Sequence, residues 1–233
     1  MAPSVLSDEN KETLAKDTRQ RLLETAIWLF GEHGYASTST RMLADAAEVN
    51  VSAIPYYFES KEGLYHAAIE YIVSEVKGAL DEVFNSAEAA LQKKLSAKQA
   101  RTHLKAVLCR LVQLFTQSGR MQCWSVVIFK EQLRPSDGFN IIYDRLIQPH
   151  HQVIGRLLAI ISDVEPDAPS IQIQAHMLIG QVVSLLSGRA SLLRHMDAHE
   201  WNADDAHHIE TVAVQMVDML RPLKPYSPDL EGC

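Results

Sequence analysis

Cysteine is scarce. Three occur in 233 residues, Cys109, Cys123 and Cys233, widely spaced, odd in number and without a Cys-x-x-Cys pair. Neither a disulfide framework nor a thiolate zinc site is therefore built into the chain, and the reducing cytoplasm is the expected setting. Positive charge is also short: 22 Lys and Arg stand against 29 Asp and Glu, a net charge of −7. The molecule as a whole is no polycation, so any binding to nucleic acid has to be carried by a local surface. No long apolar run exists either. The longest uncharged stretch, Ala168 to Gly188, is interrupted by Gln172, Gln174, His176, Gln181 and Ser184, whose polar groups would go unpaired in hydrocarbon, so it reads as a buried helix of a soluble protein with no membrane contact. The first sixteen residues lack the basic start and apolar run of a signal peptide.

Motifs of chemistry are missing as well. G-x-S-x-G, G-x-G-x-x-G, His-Glu-x-x-His and Glu-x-x-His do not occur, which removes the usual hydrolase, dinucleotide, zincin and di-iron signatures. The ten histidines include His195 and His199 at i, i+4, but His150–His151 and His207–His208 are adjacent pairs. Neighbours on a helix point about a hundred degrees apart and chelate poorly. No catalytic residue, metal or cofactor is expected. The alternative from another class is a helical metal- or ligand-handling enzyme without DNA binding.

What is present is helical periodicity. Glycine (10) and proline (9) are sparse, and apolar residues recur at three- and four-residue spacing. The pattern predicts an all-α chain. Asp17 caps a first helix with Leu22, Leu23, Ala26, Ile27, Leu29 and Phe30 on one face, stopped by Gly31 and Gly34. Thr38 starts a second through Ala47, Asn50 caps a third over Val51–Phe58, and Ser60 caps a fourth running to about Phe84. After a linker at 85–99, helices are predicted over Lys98–Gln117, Arg120–Leu133, Gly138–Ser162, Ala168–Met196 and Asn202–Leu220, with Pro149 kinking its helix or splitting it into two.

Two short helices separated by Glu48-Val49-Asn50-Val51 suit a helix-turn-helix, whose second helix lies in the major groove. The residues sharpen this. With Ala26, Phe30, Gly34-Tyr35, Thr38, Arg41, Leu43-Ala44, Ala47, Val49, Tyr57-Phe58 and Ser60-Lys61-Glu62, residues 18–69 resemble the DNA-binding domain of the TetR family of bacterial repressors. The resemblance implies that Thr38, Thr40, Arg41 and Lys61 meet phosphates, contacts that set register without reading sequence. It implies that Val51, Ser52, Ala53 and Pro55 read bases, with Tyr56 and Tyr57 toward the sugar-phosphate rail. Two positions depart from the family: Glu48 stands where glycine is common, and Pro55 where tyrosine is often found. Residues 1–65 carry six basic and ten acidic side chains, so the basic set has to be concentrated on one face.

Further along, FKEQLRPS (129–136), the QPHH segment and AHMLIGQVVSLLSGRASLLR resemble the TetR subgroup with a CerR-like C-terminal domain. That implies an effector-binding and dimerisation domain whose last two long helices pair with their symmetry mates. Gly180, Ser184 and Gly188, with Ser187 and Ser191, form a small-residue stripe that suits such pairing, and Ile209, Val212, Met216 and Leu220 form an apolar one. Polar residues where a packed interior favours Leu or Val, namely His103, Gln113, Trp124, Glu131, Tyr143, His150, His176 and Gln181, mark an expected ligand cavity.

The expected organisation is a flexible tail (1–16), a three-helix helix-turn-helix DNA-binding domain (17–64), a larger helical effector and dimerisation domain (65–222) and a second flexible tail (223–233). The expected function is that of a ligand-responsive repressor, binding palindromic double-stranded operator DNA as a homodimer and released by a small-molecule effector.

Overall fold

The computed structural model describes residues 8–117 and 119–222, and among these every regular element is helical. In chain order they are α1 (Asp8–Ser37), α2 (Thr40–Ala46), α3 (Ala53–Phe58), α4 (Lys61–Leu91), α5 (Ala97–Gln117), α6 (Gly119–Leu133), α7 (Asp137–Ile142), a π-helical turn (Tyr143–Ile147), α8 (Gln148–Ser162), α9 (Pro169–Ser187), α10 (Arg189–His195) and α11 (Ala203–Met219). They form two compact units. One comprises residues up to Val76 together with Arg120–Leu146, and the other Lys77–Gly119 together with residues from Ile147 onward.

The first unit is built around the apolar face predicted for α1. Leu22, Leu23, Ala26, Ile27, Leu29 and Phe30 are all buried, against Leu43 and Ala44 of α2, Ile54 and Phe58 of α3, and Leu64, Ala68, Ile69 and Ile72 of α4. Phe30 meets the edge of Tyr65 with ring centroids 4.9 Å apart, an arrangement aromatic rings favour. Met121, Trp124 and Val127 of α6 are also buried.

In the second unit α5 is the central helix, packed by α8, α9 and α11. Its buried face, Leu104, Val107, Leu108, Leu111 and Val112, repeats every three to four residues, as a helix surrounded by others requires. Arg101 closes the end of α11 by donating to the carbonyls of Val217 and Leu220, and Asn202 with Asp205 forms a capping box at its start.

Several expected boundaries move. α1 begins at Asp8, so Asp17 lies inside it and is not its cap. Of the two predicted tails, residues 8–16 belong to this helix, while 1–7 and 223–233, including Cys233, lie outside the described residues. α1 also continues past Gly31 to Ser37 and bends at Gly34 (φ 79°, ψ 164°) instead of stopping. α4 extends to Leu91, because Ala87 is buried and Ala, Glu and Leu are strong helix formers; the predicted linker shrinks to residues 92–96. At Pro149 the kink takes the form of the π-helical turn just before it. The run predicted over Ala168–Met196 breaks at Gly188 into α9 and α10.

Candidate nucleic-acid interface

The helix-turn-helix is stitched by short polar side chains. Thr38 is wholly buried, and its hydroxyl donates to the Gly34 carbonyl at 2.8 Å, fixing the bend of α1. Its side chain is therefore not a phosphate contact, and the cap of α2 is Ser39, whose Oγ accepts from the Met42 N–H at 3.1 Å. Both points correct the expectation placed on Thr38. Thr40 is half-buried at the first position of α2. Arg41 is exposed, with its Nε 3.8 Å from Asp45 Oδ2 on the next turn.

α2 ends on a Schellman motif. The Glu48 N–H donates to Asp45 and the Val49 N–H to Ala44, with Glu48 in the left-handed region at φ 54°. The family's usual glycine explains itself here: this is the position where a side chain costs backbone strain. Asn50 Oδ1 then accepts from both the N–H (2.9 Å) and the hydroxyl (2.8 Å) of Ser52, so it caps a turn at Val51–Ser52, and α3 begins two residues later than predicted, at Ala53. Pro55 sits in the first turn of α3, where its missing N–H costs nothing.

This local chemistry sorts the segment into two faces. Ile54 and Phe58 are buried, whereas Val51, Ser52, Pro55 and Tyr56 are exposed, Tyr56 at 79%. Ala53 and Tyr57 are half-buried, and Tyr56 and Tyr57 pack edge to face at 4.7 Å. The proposed reading residues are thus brought together on one surface. α4 starts as predicted, its Gly63 N–H donating to Ser60 Oγ at 3.0 Å. A Cβ at Gly63 would lie 2.0 Å from the Phe58 carbonyl oxygen, so only glycine fits against the end of α3. Lys61 is half-buried, with Nζ 4.2 Å from the Tyr35 ring centroid, and Arg19 stands 5.0 Å over Phe58.

A cleft of about 630 Å³ opens in the same unit, walled by the end of α1, the start of α4, and α6 and α7. Two consecutive residues of α6 hold its walls. Lys130 Nζ donates to the Gly31 carbonyl, while the buried Glu131 accepts from the Tyr65 hydroxyl at 2.5 Å and from the Ser136 N–H and hydroxyl. Burial first, and the Glu131 hydrogen bond second, push the Tyr65 phenol well above its ordinary value. Neither Lys130 nor this network was foreseen. The signal was a Lys-Glu pair inside an apolar run.

The eight predicted ligand residues do not converge. Glu131 alone lines this cleft, and Trp124 is buried elsewhere in the first unit, edge-on to Tyr71. Tyr143, His176 and Gln181 are exposed, which removes the premise of an interior polar group for all three. His103, Gln113 and His150 are half-buried in the second unit, where His150 lies against Phe84 with ring centroids 4.0 Å apart. His151, not singled out from sequence, places Nε2 3.4 Å from His176 Nδ1 while its Nδ1 bonds the Ile147 carbonyl; desolvation holds its pKa below the ordinary value. Among the described residues no group of three or more His, Cys, Asp or Glu side chains could hold a metal ion, and no helix is long and apolar enough to cross a membrane.

The same two regions match known families. Residues 22–68 match the model of the bacterial regulatory proteins of the tetR family, and residues 100–222 match the C-terminal domain of the HTH-type transcriptional dual regulator CecR. CecR of Shigella flexneri is 28% identical over 198 residues, 84% of this chain and 86% of that protein. The probable acrEF/envCD operon repressor of Escherichia coli strain K12 is 46% identical over 52 residues, 22% of this chain and 24% of the relative. In fold, the chain is similar to AibR in complex with isovaleryl coenzyme A and operator DNA, with TM-score 0.59, 16% identity and coverage of 85% and 97% of the two chains. It is also similar to FadR from Bacillus subtilis in complex with stearoyl-CoA, with TM-score 0.54, 14% identity and coverage of 85% and 96%. The C-terminal likeness is thus to CecR, and the chain belongs to the TetR family of bacterial regulators as a helix-turn-helix transcriptional regulator carrying the CecR C-terminal domain.

Proposed function

We propose that the chain is a cytoplasmic repressor that binds an inverted-repeat operator as a homodimer and is released by a small-molecule effector. The observation that carries this reading is the exposed face of α3, where Val51, Ser52, Pro55 and Tyr56 stand together on a rigid, capped support. In it Ala53 and Tyr57 flank the reading surface, Thr40 offers its hydroxyl at the start of α2, and Arg41 and Lys61 meet phosphates once they leave Asp45 and Tyr35. Residues 17–64 serve DNA binding, and 65–222 the effector and pairing.

Pairing falls to α9 and α11. Ile173 and Met177 are exposed on α9, one turn apart and in line with exposed Gly180 and Ser184, and Val212 and Met219 are exposed on α11. Small residues beside large apolar ones permit close helix approach. Glu131, which lines the cleft of the first unit, is the proposed effector contact among the polar residues singled out, and the effector acts by preferring the subunit arrangement whose reading helices no longer match the operator. The acyl-coenzyme A complexes of AibR and FadR make acyl thioesters the first compounds to screen.

The test is selection of genomic fragments by the full-length protein at moderate salt, followed by footprinting. An imperfect inverted repeat with half-site centres about one or more helical turns apart, protected by a dimer, is the expected result. Protection of one asymmetric half-site by a monomer overturns it.

A further inference from the structure

The exposed face of α3 is defined by what it does not carry. Val51, Ser52, Pro55, Tyr56 and Glu59 include no Arg, Lys, Asn or Gln, the side chains that make bidentate hydrogen bonds to guanine and adenine edges. The amide next to them, Asn50, has its oxygen occupied by the N–H and hydroxyl of Ser52, and adenine recognition needs that oxygen as well as the amide nitrogen. Ser52 has donated its only proton to Asn50, so it offers lone pairs alone. The neighbouring cations lie beside other groups, Arg41 near Asp45, Arg19 over Phe58 and Lys61 over Tyr35, and their proposed targets are phosphates.

Beside the Tyr56 hydroxyl and the Glu59 carboxylate, what the surface presents is carbon. Val51 is 42% exposed in the turn before α3, and Pro55 is exposed one turn later. In the major groove the apolar group that marks one base pair from another is the thymine C5 methyl. We propose that this regulator reads its half-site chiefly through thymine methyl groups, with Val51 and Pro55 as the two contacting side chains. The proposal rests on α3 being the reading helix. Side chains one turn apart lie about 5–6 Å from each other, and bases along a strand rise about 3.4 Å. The two thymines therefore fall on adjacent or next-adjacent base pairs. Because the contact is apolar, its contribution persists at salt concentrations that weaken phosphate contacts.

The experiment uses the full chain. An operator is first selected from random duplexes, and each thymine of one half-site is then replaced singly by deoxyuridine, which deletes the methyl and leaves every hydrogen-bonding atom in place. Affinity should fall about fourfold at each of two thymines no more than two base pairs apart, the worth of one buried methyl. Val51→Ala should abolish the uridine penalty at one of them and Pro55→Ala at the other; both side chains are exposed, so the unfolding temperature of each variant checks that the fold is intact. Uridine at every thymine without loss of affinity overturns the inference while leaving specific binding standing. Failure to select any duplex removes the assignment of α3 as the reading helix, and the inference with it.

Discussion

At the scale of single residues, the informative positions are those where backbone conformation and side chain disagree. Glu48 adopts φ 54° at the C-terminal position of a Schellman motif, a place suited to glycine, and it is an exposed carboxylate in the segment proposed to face DNA. The left-handed conformation costs about 1–2 kcal/mol for a residue with a Cβ, and glycine returns part of that as greater freedom of the unfolded chain. Glu48→Gly should therefore stabilise the protein by about 0.5–1 kcal/mol in urea unfolding. It should also raise operator affinity, more at low salt than at high salt, because a negative charge near phosphates is removed. A variant no more stable than the parent would mean that the turn carries no strain. Thr38 shows how such a position escapes a sequence reading. The run Ser37-Thr38-Ser39-Thr40 offers four hydroxyls with nearly equal capping chemistry, and the choice of Ser39 as cap follows from the bend at Gly34, which buries Thr38 against α1.

At the scale of elements, a boundary is legible in the sequence where its signal is local. Ser60 ahead of Lys61-Glu62 located α4 because a capping hydroxyl is a local signal, visible within four residues. The end of α4 was not visible in that way. Asn85-Ser86-Ala87-Glu88 looks like a linker by polarity, yet it stays helical because Ala87 is fully buried and Glu88 is engaged by Arg156 at 2.7 Å, contacts that come from distant sequence. The turn between α3 and α4 rests on a similar long-range fact. Gly63 passes so close to the Phe58 carbonyl that a methyl group there would have to displace backbone. Gly63→Ala should then destabilise the first unit by about 1–3 kcal/mol, the usual range for an added methyl in a filled space. Operator binding should fall as well, since α3 would have to shift. Thermal unfolding and binding indistinguishable from the parent would show that α3 and α4 do not approach this closely. The candidate site is legible in the same uneven way: the exposed face of α3 follows from spacing, while the Lys130 and Glu131 network depends on which carbonyls and hydroxyls the fold brings to α6.

At the scale of the whole molecule, the deciding quantity is the apolar surface a single subunit leaves uncovered. Ile173 and Met177 are 60% and 63% exposed on α9, and Val212 and Met219 are 54% and 65% exposed on α11. Clusters of this kind mark contact surfaces on soluble proteins, and a second copy of the same chain offers a self-complementary partner through a two-fold axis. The consequence for DNA is large. In the proposed dimer each subunit offers one face of a six-residue helix to a half-site, and joining two such modules makes the second contact intramolecular, which raises avidity by roughly two to four orders of magnitude. Ile173→Glu combined with Met177→Glu would place two carboxylates at the pairing surface of each subunit. The exposed positions should leave the unfolding temperature of the subunit close to that of the parent, while light scattering should report a monomer and affinity for the full inverted repeat should fall to that of an isolated half-site. A double variant that remains dimeric and holds the complete operator as tightly as the parent would place the pairing surface on other helices.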